Sequence, residues 1–256
     1  MNRNIVITGG SKGIGKAIVD AFLHEGDRVV FTARSDSDAQ RVLEEKKEET
    51  AAGRLFFCKS DVSDEEDVKR LAQFTHKQLG TCDVLINNAA IFRGGNVHES
   101  GAEDFDAQFA VNVRGVFLTC KYFIPQMLEK KAGNIINIAS LAGLNGGYNM
   151  AIYSATKAAV IGLTRSMAMD YSRFGVRVNG ICPSATMTEM FLSGTAEPVV
   201  ELYKNNNPSR RLGLPSEIAD AAIFLASDKS SYMAGQMLSV DGGLSAWNGE
   251  ACQPTR

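Results

Sequence analysis

The stretch NIVITGGSKGIGKAIVDAFLHEG, residues 4–26, decides the fold of this chain. It begins with a short apolar run, Asn4–Thr8, continues through a glycine-rich turn, and ends in a helical pattern in which Ile14, Ile18 and Phe22 recur every four residues. A helix that begins directly after such a turn presents free backbone N–H groups, and glycine keeps Cβ atoms out of their way. The pattern therefore predicts a strand, a phosphate-binding turn and a helix, with GxxxGxG spacing instead of the common GxGxxG.

Apolar strands and amphipathic helices alternate along the rest of the chain, without a linker or an internal repeat. Strands that are apolar throughout and separated by helices are typical of a parallel sheet covered on both faces. We therefore expect an α/β fold, a single-domain, doubly wound parallel β-sheet of Rossmann type with helices on both faces, over residues 1–256. Residues 184–208 have weak periodicity and are predicted to form a substrate loop or lid, and residues 245–256 a C-terminal tail. The predicted strands are 4–8, 28–33, 55–58, 84–86, 134–138, 176–181 and 236–240; the predicted helices are 14–25, 37–52, 64–79, 102–130 with a kink at Pro125, 152–174 and 215–226.

The composition excludes several classes of protein. With 256 residues, 45% apolar residues and a net charge of -2, the chain is long enough for a full hydrophobic core and lacks the basic character of a nucleic-acid binder. No apolar run is long enough to span a membrane, and the N-terminus shows no signal peptide. The five cysteines form no CxxC pair and the three histidines lie far apart, so we expect reduced thiols, a cytoplasmic location and no metal site.

The residues at the end of the second predicted strand indicate which dinucleotide the fold binds. Dinucleotide folds that prefer NAD usually place an Asp or Glu here, where it binds the adenosine ribose. This chain has Ala33 followed by Arg34, and Lys12 lies in the glycine turn. Two cations without a carboxylate favour the 2′-phosphate of NADP(H), because a guanidinium binds phosphate through two parallel hydrogen bonds.

Three polar residues in the second half of the chain form a candidate catalytic set. Ser140 follows the fifth predicted strand, at the sheet edge where open α/β folds bind their ligands, and Tyr153 and Lys157 lie one turn apart on the next helix. A phenol, whose ordinary pKa is about 10, transfers protons near neutral pH only if its anion is stabilised. Lys157 can supply that charge and Ser140 a hydrogen bond to the reacting oxygen, which leaves proton exchange to Tyr153.

Together with these groups, several further motifs resemble those of the short-chain dehydrogenase/reductase family, from Asn4 to about Gly243. Each motif is weak alone, but they occur in the family's order and spacing. The matching motifs are Thr8–Gly15 (TGxxxGIG), Asp61-Val62, Asn87–Ala90 (NNAA for the family's NNAG), Asn112, Ser140 thirteen residues before Tyr153, Tyr153–Lys157 (YxxxK), Asn179, Pro183, Thr188 and Asp241–Gly243.

The resemblance implies a role for each matching residue. Asn112 would complete the catalytic set of Ser140, Tyr153 and Lys157 by holding a water that links Lys157 to solvent. Lys157 would also bind the hydroxyls of the nicotinamide ribose. The implied cofactor-binding residues are Gly9, Ser11, Lys12, Gly13, Ile14 and Gly15 around the pyrophosphate, Lys12 and Arg34 at the 2′-phosphate, Asp61 and Val62 at the adenine, Asn88 and Ala89 at the adenosine ribose, Tyr153 and Lys157 at the nicotinamide ribose, and Pro183, Thr186 and Thr188 at the carboxamide.

Two positions depart from the family motifs. Ala90 and Ser184 stand where the family has glycine, in NNAG and in the Pro-Gly pair after the sixth strand. Ala90 adds a methyl group, and Ser184 cannot adopt a positive φ as freely as glycine does. Both departures could change the local backbone conformation beside the cofactor, but they do not change the type of cofactor that we predict.

The residues and the resemblance together predict an NADP(H)-dependent oxidoreductase that transfers a hydride between nicotinamide and a ketone or secondary alcohol. The predicted pocket is mostly apolar or small, which favours a modest hydrophobic substrate. Its walls are Leu141, Ala142, Asn145, Gly147, Tyr148, Met187, Met190 and Phe191, with Ile91–Arg93 at the mouth.

Two alternative enzymes and one alternative of another class remain open. The enzymes are a 3-oxoacyl-thioester reductase that acts on an acyl carrier protein and a sugar dehydrogenase. The other class is a non-catalytic NADP-sensing regulator on the same fold. The family is commonly tetrameric, so the resemblance also implies a homotetramer built through the helices at about 102–130 and 152–174.

Overall fold

The computed structural model describes residues 2–250 and places all seven predicted strands in one sheet. The strands are β1 (Asn4–Ile7), β2 (Arg28–Ala33), β3 (Leu55–Lys59), β4 (Val84–Asn87), β5 (Gly133–Ile138), β6 (Val176–Pro183) and β7 (Met237–Val240). Their order is β3-β2-β1-β4-β5-β6-β7, and every neighbouring pair is parallel. The order reverses direction between β1 and β4, so the carboxyl ends of these two strands open into the crevice where such sheets bind ligands.

Helices cover both faces of the sheet, so the predicted doubly wound α/β fold is confirmed. On one face, Ile18 and Phe22 of the first helix pack with Ile218 of the last helix. On the other face, Phe123 and Val160 belong to the second core. The helices are α1 (Gly13–His24), α2 (Asp36–Glu45), α3 (Lys47–Ala51), α4 (Glu65–Leu79), α5 (Ala102–Phe109), α6 (Gly115–Lys130), α7 (Ala151–Tyr171), α8 (Glu189–Ser193), α9 (Glu197–Asn205) and α10 (Pro215–Ala226).

The helix predicted over residues 37–52 is interrupted at Lys46, which has φ -114° and ψ 39° and separates α2 from α3. A continuous helix would place Glu44 beside Glu48 and Glu45 beside Glu49, and like charges four residues apart destabilise a helix. The break also lets the Lys46 ammonium reach Asp20 of α1 at 3.1 Å.

The helical stretch predicted at 102–130 contains an irregular turn that the sequence does not predict, and the kink at Pro125 stays a prediction. Helix α6 continues through Pro125 to Lys130, and Pro125 faces solvent, where water can bond the carbonyl that a proline leaves unpaired. The irregularity is a π-helical turn at Ala110–Arg114. Such turns often occur at functional sites, and this one carries Asn112 in its centre.

The segment predicted as a lid, residues 184–208, contains the two short helices α8 and α9. Of the predicted tail, residues 245–250 are described, with Trp247 partly exposed, and residues 251–256 lie outside the described part of the chain. No helix within residues 2–250 is both long enough and apolar enough to cross a membrane.

Candidate active site

The turn between β1 and α1 contains three glycines at positions that other residues do not fit. Gly9 and Gly13 have φ values of +66° and +52°, in the left-handed region that favours glycine. A Cβ on Gly15 would lie 2.1 Å from the carbonyl oxygen of Gly9, so α1 begins directly against the turn. Ser11 and Ile14 complete this backbone cradle, whose shape fits the pyrophosphate of a dinucleotide.

Residues after β4 hold the glycine turn in place. The side-chain amide of Asn88 donates hydrogen bonds of 3.0 Å to the carbonyl oxygens of both Thr8 and Gly9. The Thr8 hydroxyl accepts in turn from the backbone N–H groups of Asn88 and Ala89, at 3.0 and 3.1 Å. The two residues predicted at the adenosine ribose therefore lie against the cradle, where Asn88 also supports its shape.

The two predicted phosphate-binding cations differ in their surroundings. Arg34 follows β2, is exposed, and forms no ion pair with the residues at 2–250. Lys12, which precedes α1, pairs with Asp38 at 3.2 Å and with Glu189 at 3.3 Å. These two carboxylates could not be predicted from the sequence, because they lie far from Lys12 along the chain and no local motif marks them.

The predicted adenine-binding pair follows β3. The Asp61 carboxylate accepts hydrogen bonds from the Ser63 backbone N–H at 2.9 Å and from the Ser63 hydroxyl at 2.6 Å, which fixes its orientation. Val62 is buried, and a Cβ on Gly115 would lie 2.7 Å from its side chain. Helix α6 therefore begins with a glycine at the point where it passes Val62.

The structure brings the three predicted catalytic residues together at the carboxyl end of β5. Ser140 begins a short 3-10 turn, and its hydroxyl oxygen accepts a hydrogen bond of 3.1 Å from the Ala142 backbone N–H. A Cβ on Gly143 would lie 2.7 Å from the backbone of Lys157, so this turn packs directly on α7. Helix α7 presents Tyr153 and Lys157 one turn apart beside it.

Burial shifts the pKa values of Tyr153 and Lys157 in opposite directions. It raises the pKa of Tyr153 to about 12, and a hydrogen bond with Ser140 opposes this rise. Burial also lowers the pKa of Lys157 to about 8. The Lys157 ammonium donates a 2.8 Å hydrogen bond to the Ile138 carbonyl and lies 5.6 Å from the centre of the Tyr153 ring. Burial therefore raises the pKa of the phenol in the protein alone, and the stabilisation of its anion by Lys157 stays a prediction.

Asn112 lies beside this set and is buried, but its side chain is used within the protein. Its amide donates to the Ile91 carbonyl at 2.9 Å and to the Thr156 hydroxyl at 3.1 Å, and its oxygen accepts from the Ile91 backbone N–H at 2.8 Å. The Thr156 hydroxyl donates to the Tyr153 carbonyl at 2.7 Å. Asn112 thus connects the loop after β4 to α7, and a water link from Asn112 to Lys157 stays a prediction.

The residues predicted at the carboxamide follow β6. Pro183 ends the strand, and the buried Thr186 donates its hydroxyl to the Ser184 carbonyl at 2.9 Å. Thr188 caps α8 by accepting from the Phe191 backbone N–H at 3.2 Å. A Cβ on Gly13 would lie 3.2 Å from the Thr188 methyl group, so the start of α8 lies against the glycine turn.

The predicted substrate pocket is only partly assembled. Leu141 is buried, Phe191 is half-buried against Tyr203, and Met187 and Met190 are about half exposed, at 47% and 53%. The other predicted wall residues do not enclose a space: Asn145 and Gly147 are exposed, and Tyr148 is 97% exposed because its loop points it into solvent. From the predicted mouth, Phe92 packs edge to face on Tyr153 with ring centres 5.2 Å apart.

Comparison with known proteins identifies the family. A family model described as enoyl-(acyl carrier protein) reductase matches residues 9–245. The chain is 39% identical over 250 residues to 2-(S)-hydroxypropyl-CoM dehydrogenase 3 of Xanthobacter autotrophicus, covering 96% of this chain and 97% of the relative. The chain belongs to the short-chain dehydrogenase/reductase family. It is therefore an oxidoreductase of the class that uses a nicotinamide cofactor.

Two further comparisons agree with this membership. The chain is 34% identical over 239 residues to 3-oxoacyl-acyl-carrier-protein reductase FabG of Thermotoga maritima, covering 93% of this chain and 96% of the relative. The solved structure of ElxO with NADP bound superposes with a TM-score of 0.90 at 32% identity, covering 96% of this chain and 100% of that one.

The two departures from the short-chain dehydrogenase/reductase motifs cause no backbone strain. Within residues 2–250, only Lys131, Asn149 and Arg210 have a positive φ among residues other than glycine. Ala90 and Ser184 therefore hold conformations open to any residue. In the described part of the chain, no three His, Cys, Asp or Glu side chains lie close enough together to hold a metal ion.

Proposed function

We propose that this short-chain dehydrogenase/reductase is an NADP(H)-dependent enzyme that interconverts a ketone and a secondary alcohol, with Tyr153 as the acid and base. The observation that carries the proposal is the convergence of Ser140, Tyr153 and Lys157 beside the glycine cradle. When bound, the nicotinamide supplies or accepts the hydride at the carbon of the substrate. The protein then has to bind and orient the substrate oxygen and move its proton.

Ser140 and Tyr153 divide that task. The Ser140 oxygen accepts a hydrogen bond from the Ala142 N–H, so its own hydrogen is the one it can donate, to Tyr153 in the protein alone and to a substrate oxygen when one is bound. Tyr153 exchanges the proton with the same oxygen. Its pKa of about 12 must fall for this to happen near neutral pH, and Lys157, 5.6 Å from the ring centre, carries the charge that can lower it.

The preference for NADP(H) is proposed from the adenosine end of the cradle. Ala33 offers no carboxylate to a 2′-hydroxyl, while the exposed Arg34 is available to bind a phosphate. The similarity to ElxO, whose structure is solved with NADP bound, supports the same choice.

The substrate is proposed to be a ketone or secondary alcohol of modest size with an apolar body. Leu141, Met187 and Phe191, which are among the predicted wall residues, are apolar side chains that suit such a substrate. The relative from Xanthobacter is named for a secondary alcohol, the 2-hydroxypropyl group, which agrees with this class.

The similarity to FabG makes a 3-oxoacyl-thioester reductase the second candidate. An acidic carrier protein needs a basic docking surface. The two arginines that could belong to such a surface are paired with acids, Arg93 with Asp104 and Arg114 with Glu65, which weakens that candidate. A sugar dehydrogenase and an NADP-sensing regulator remain as further alternatives, and a regulator has no use for the intact catalytic set.

One assay separates these candidates. NADPH oxidation is followed against aliphatic and cyclic ketones, an acetoacetyl thioester and simple sugars, and NADP⁺ reduction against the corresponding alcohols. We expect the highest kcat/KM with an apolar ketone or its alcohol. A higher value with the thioester would favour the carrier-protein reductase. NADPH binding without turnover of any substrate class would favour the regulator.

A homotetramer in the cytoplasm completes the proposal. Phe105 of α5 and Phe117 of α6, on the helices where the family resemblance places the interface, are 46% and 52% exposed. Such large apolar side chains suit an interface between subunits. Light scattering after size-exclusion chromatography gives the oligomer mass directly, and a monomer would contradict this part of the proposal.

A further inference from the structure

Lys12 is held between two carboxylates from distant parts of the chain. Its ammonium nitrogen lies 3.2 Å from Oδ2 of Asp38, in the first turn of α2, and 3.3 Å from Oε2 of Glu189, the first residue of α8. The hydrogen bonds with Asp38 and Glu189 raise the pKa of Lys12, so it stays fully charged at neutral pH. Lys12 is the same residue that the family resemblance assigns to the 2′-phosphate of NADP(H).

The fold itself produces this arrangement. Helix α8 begins over the glycine turn, with the Thr188 methyl group 3.2 Å from the position of a Cβ on Gly13, and this places Glu189 next to Lys12. On the other side, the backbone N–H of Asp38 donates to the Ser35 hydroxyl at 3.2 Å, which fixes the first turn of α2 beside the end of β2. The two carboxylates therefore reach Lys12 from different elements, Asp38 from the start of α2 and Glu189 from the start of α8.

The ion pairs of Lys12 oppose the binding of a phosphate at this cluster. Both carboxylates contact the ammonium, and Arg41 also pairs with Asp38, so the four groups together carry no net positive charge. A phosphate that approaches Lys12 is repelled by both acids and must replace their contacts with the ammonium. Arg34, by contrast, has no ion pair to give up within residues 2–250.

We propose that Asp38 and Glu189 are specificity-determining residues, which weaken the binding of NADP(H) relative to NAD(H) by competing with the 2′-phosphate for Lys12. The inference rests on the proposed function, since it requires a nicotinamide dinucleotide in the glycine cradle. It assigns most of the attraction for the phosphate to Arg34. Lys12 attracts the 2′-phosphate only when its ion pairs with Asp38 and Glu189 are broken.

Cofactor binding to purified full-length protein tests the competition directly. The dissociation constants of NADPH and NADH are measured by fluorescence titration for the wild type, Asp38→Asn, Glu189→Gln and the double variant. Because exposed ion pairs are weak, we expect each single change to tighten NADPH binding about threefold and the double change more, with NADH changed less than about twofold. The gain should shrink at high salt, which screens exposed charges.

Matched controls separate this effect from a general loss of negative charge. Asp36→Asn removes the same charge from the same turn of α2, where Asp36 pairs with Lys59 and not with Lys12. Glu197→Gln removes one negative charge from the 184–208 segment, which also contains Glu189. Both control variants should leave the dissociation constant of NADPH nearly unchanged. In a Lys12→Met background, Asp38→Asn should lose most of its effect, because no ammonium is left to release.

Several outcomes would overturn the inference. The first three are an unchanged NADPH dissociation constant in both variants, an equally large tightening of NADH binding, and an equally large tightening of NADPH binding in the control variants. The fourth is a full effect of Asp38→Asn in the Lys12→Met background, which would show that Asp38 repels the phosphate directly and does not compete for Lys12. A wild type that binds NADH better than NADPH would contradict the proposed preference for NADP(H), yet a shift toward NADPH in Asp38→Asn would still support the competition. A wild type that binds neither dinucleotide would overturn both.

Discussion

The hydroxyl of Tyr153 is the group on which the proposed chemistry depends. Tyr153→Phe removes that oxygen alone and keeps the ring that packs on Phe92. We expect the variant to fold and bind NADPH normally while kcat falls about 10²- to 10⁴-fold, the usual effect of removing a general acid or base. Steady-state kinetics and NADPH titration measure the two effects separately. Tyr232→Phe, at a fully exposed tyrosine, is the matched control, and a near-normal kcat in Tyr153→Phe would show that another group moves the proton.

Arg34 is the residue on which the cofactor preference should depend. A charge-assisted hydrogen bond to the 2′-phosphate contributes about 1.5–3 kcal/mol. Arg34→Ala should therefore lower kcat/KM for NADP(H) about ten- to a hundredfold and leave the value for NAD(H) nearly unchanged. The measurement is kcat/KM with both cofactors in the wild type, in Arg34→Ala and in Arg173→Ala, which removes an arginine outside the predicted cofactor-binding set. An equal fall with both cofactors would mean that Arg34 does not contact the phosphate.

At the scale of elements, the catalytic geometry depends on how the 3-10 turn after β5 packs on α7. Gly143 is the contact point, since a Cβ there would lie 2.7 Å from the Lys157 backbone. Gly143→Ala should push the turn that carries Ser140 away from Tyr153. Displacements near 1 Å cost about a hundredfold in rate, so we expect kcat to fall about 10- to 100-fold with NADPH binding retained.

Gly162→Ala provides the control for that experiment on the same helix. A Cβ on Gly162 of α7 would have no neighbour within 4 Å. Alanine also favours a helix more than glycine does, so this variant should keep its activity and be slightly more stable. If Gly143→Ala were as active as Gly162→Ala, the turn would not need its close contact with α7.

The elements show how far local sequence predicts this fold. All seven strands lie within two residues of their predicted ends and α10 begins and ends as predicted, because apolar runs, glycine turns and a first-turn proline are local signals. The break at Lys46 interrupts an otherwise helical pattern, and neither a glycine nor a proline marks it in the sequence. The π-helical turn at Ala110–Arg114 accompanies the bonds of Asn112 to Ile91 and Thr156, which lie far along the chain.

The sequence predicts which residues meet at the candidate site, but it predicts their pKa values and ion pairs less well. Ser140, Tyr153 and Lys157 meet as expected because the end of β5 and the first turns of α7 are neighbours in any fold of this topology. Burial raises the pKa of Tyr153 against the opposing hydrogen bond with Ser140, and burial depends on tertiary packing that the local sequence does not show. Tertiary contacts likewise determine the ion pairs of Lys12 with Asp38 and Glu189 and the exposure of Tyr148.

At the scale of the whole molecule, burial of Lys157 makes folding stability depend on pH. Its pKa is lowered from 10.5 in the unfolded chain to about 8 in the folded protein. Below pH 8 the lysine is charged in both states, and its burial lowers the free energy of unfolding by a constant amount. Between pH 8 and 10.5 the unfolded chain binds more protons than the folded protein, so this contribution makes stability rise with pH.

Comparison with Lys157→Met isolates that contribution, because the other titrating groups are shared by both proteins. The free energy of unfolding of the wild type, relative to the variant, should increase by about 2 kcal/mol between pH 7.5 and pH 10. Urea unfolding followed by circular dichroism at several pH values gives this difference, and Lys229→Met, at an exposed lysine, should show no such trend. The raised pKa of Tyr153, about 12, acts in the opposite direction near pH 10, where the unfolded phenol begins to lose its proton, but both proteins contain Tyr153 and the comparison between them removes this shared contribution. A difference that stays constant from pH 7.5 to pH 10 would mean that Lys157 keeps an ordinary pKa in the folded protein. Burial would then not make the protonation of Lys157 sensitive to the cofactor or to Tyr153.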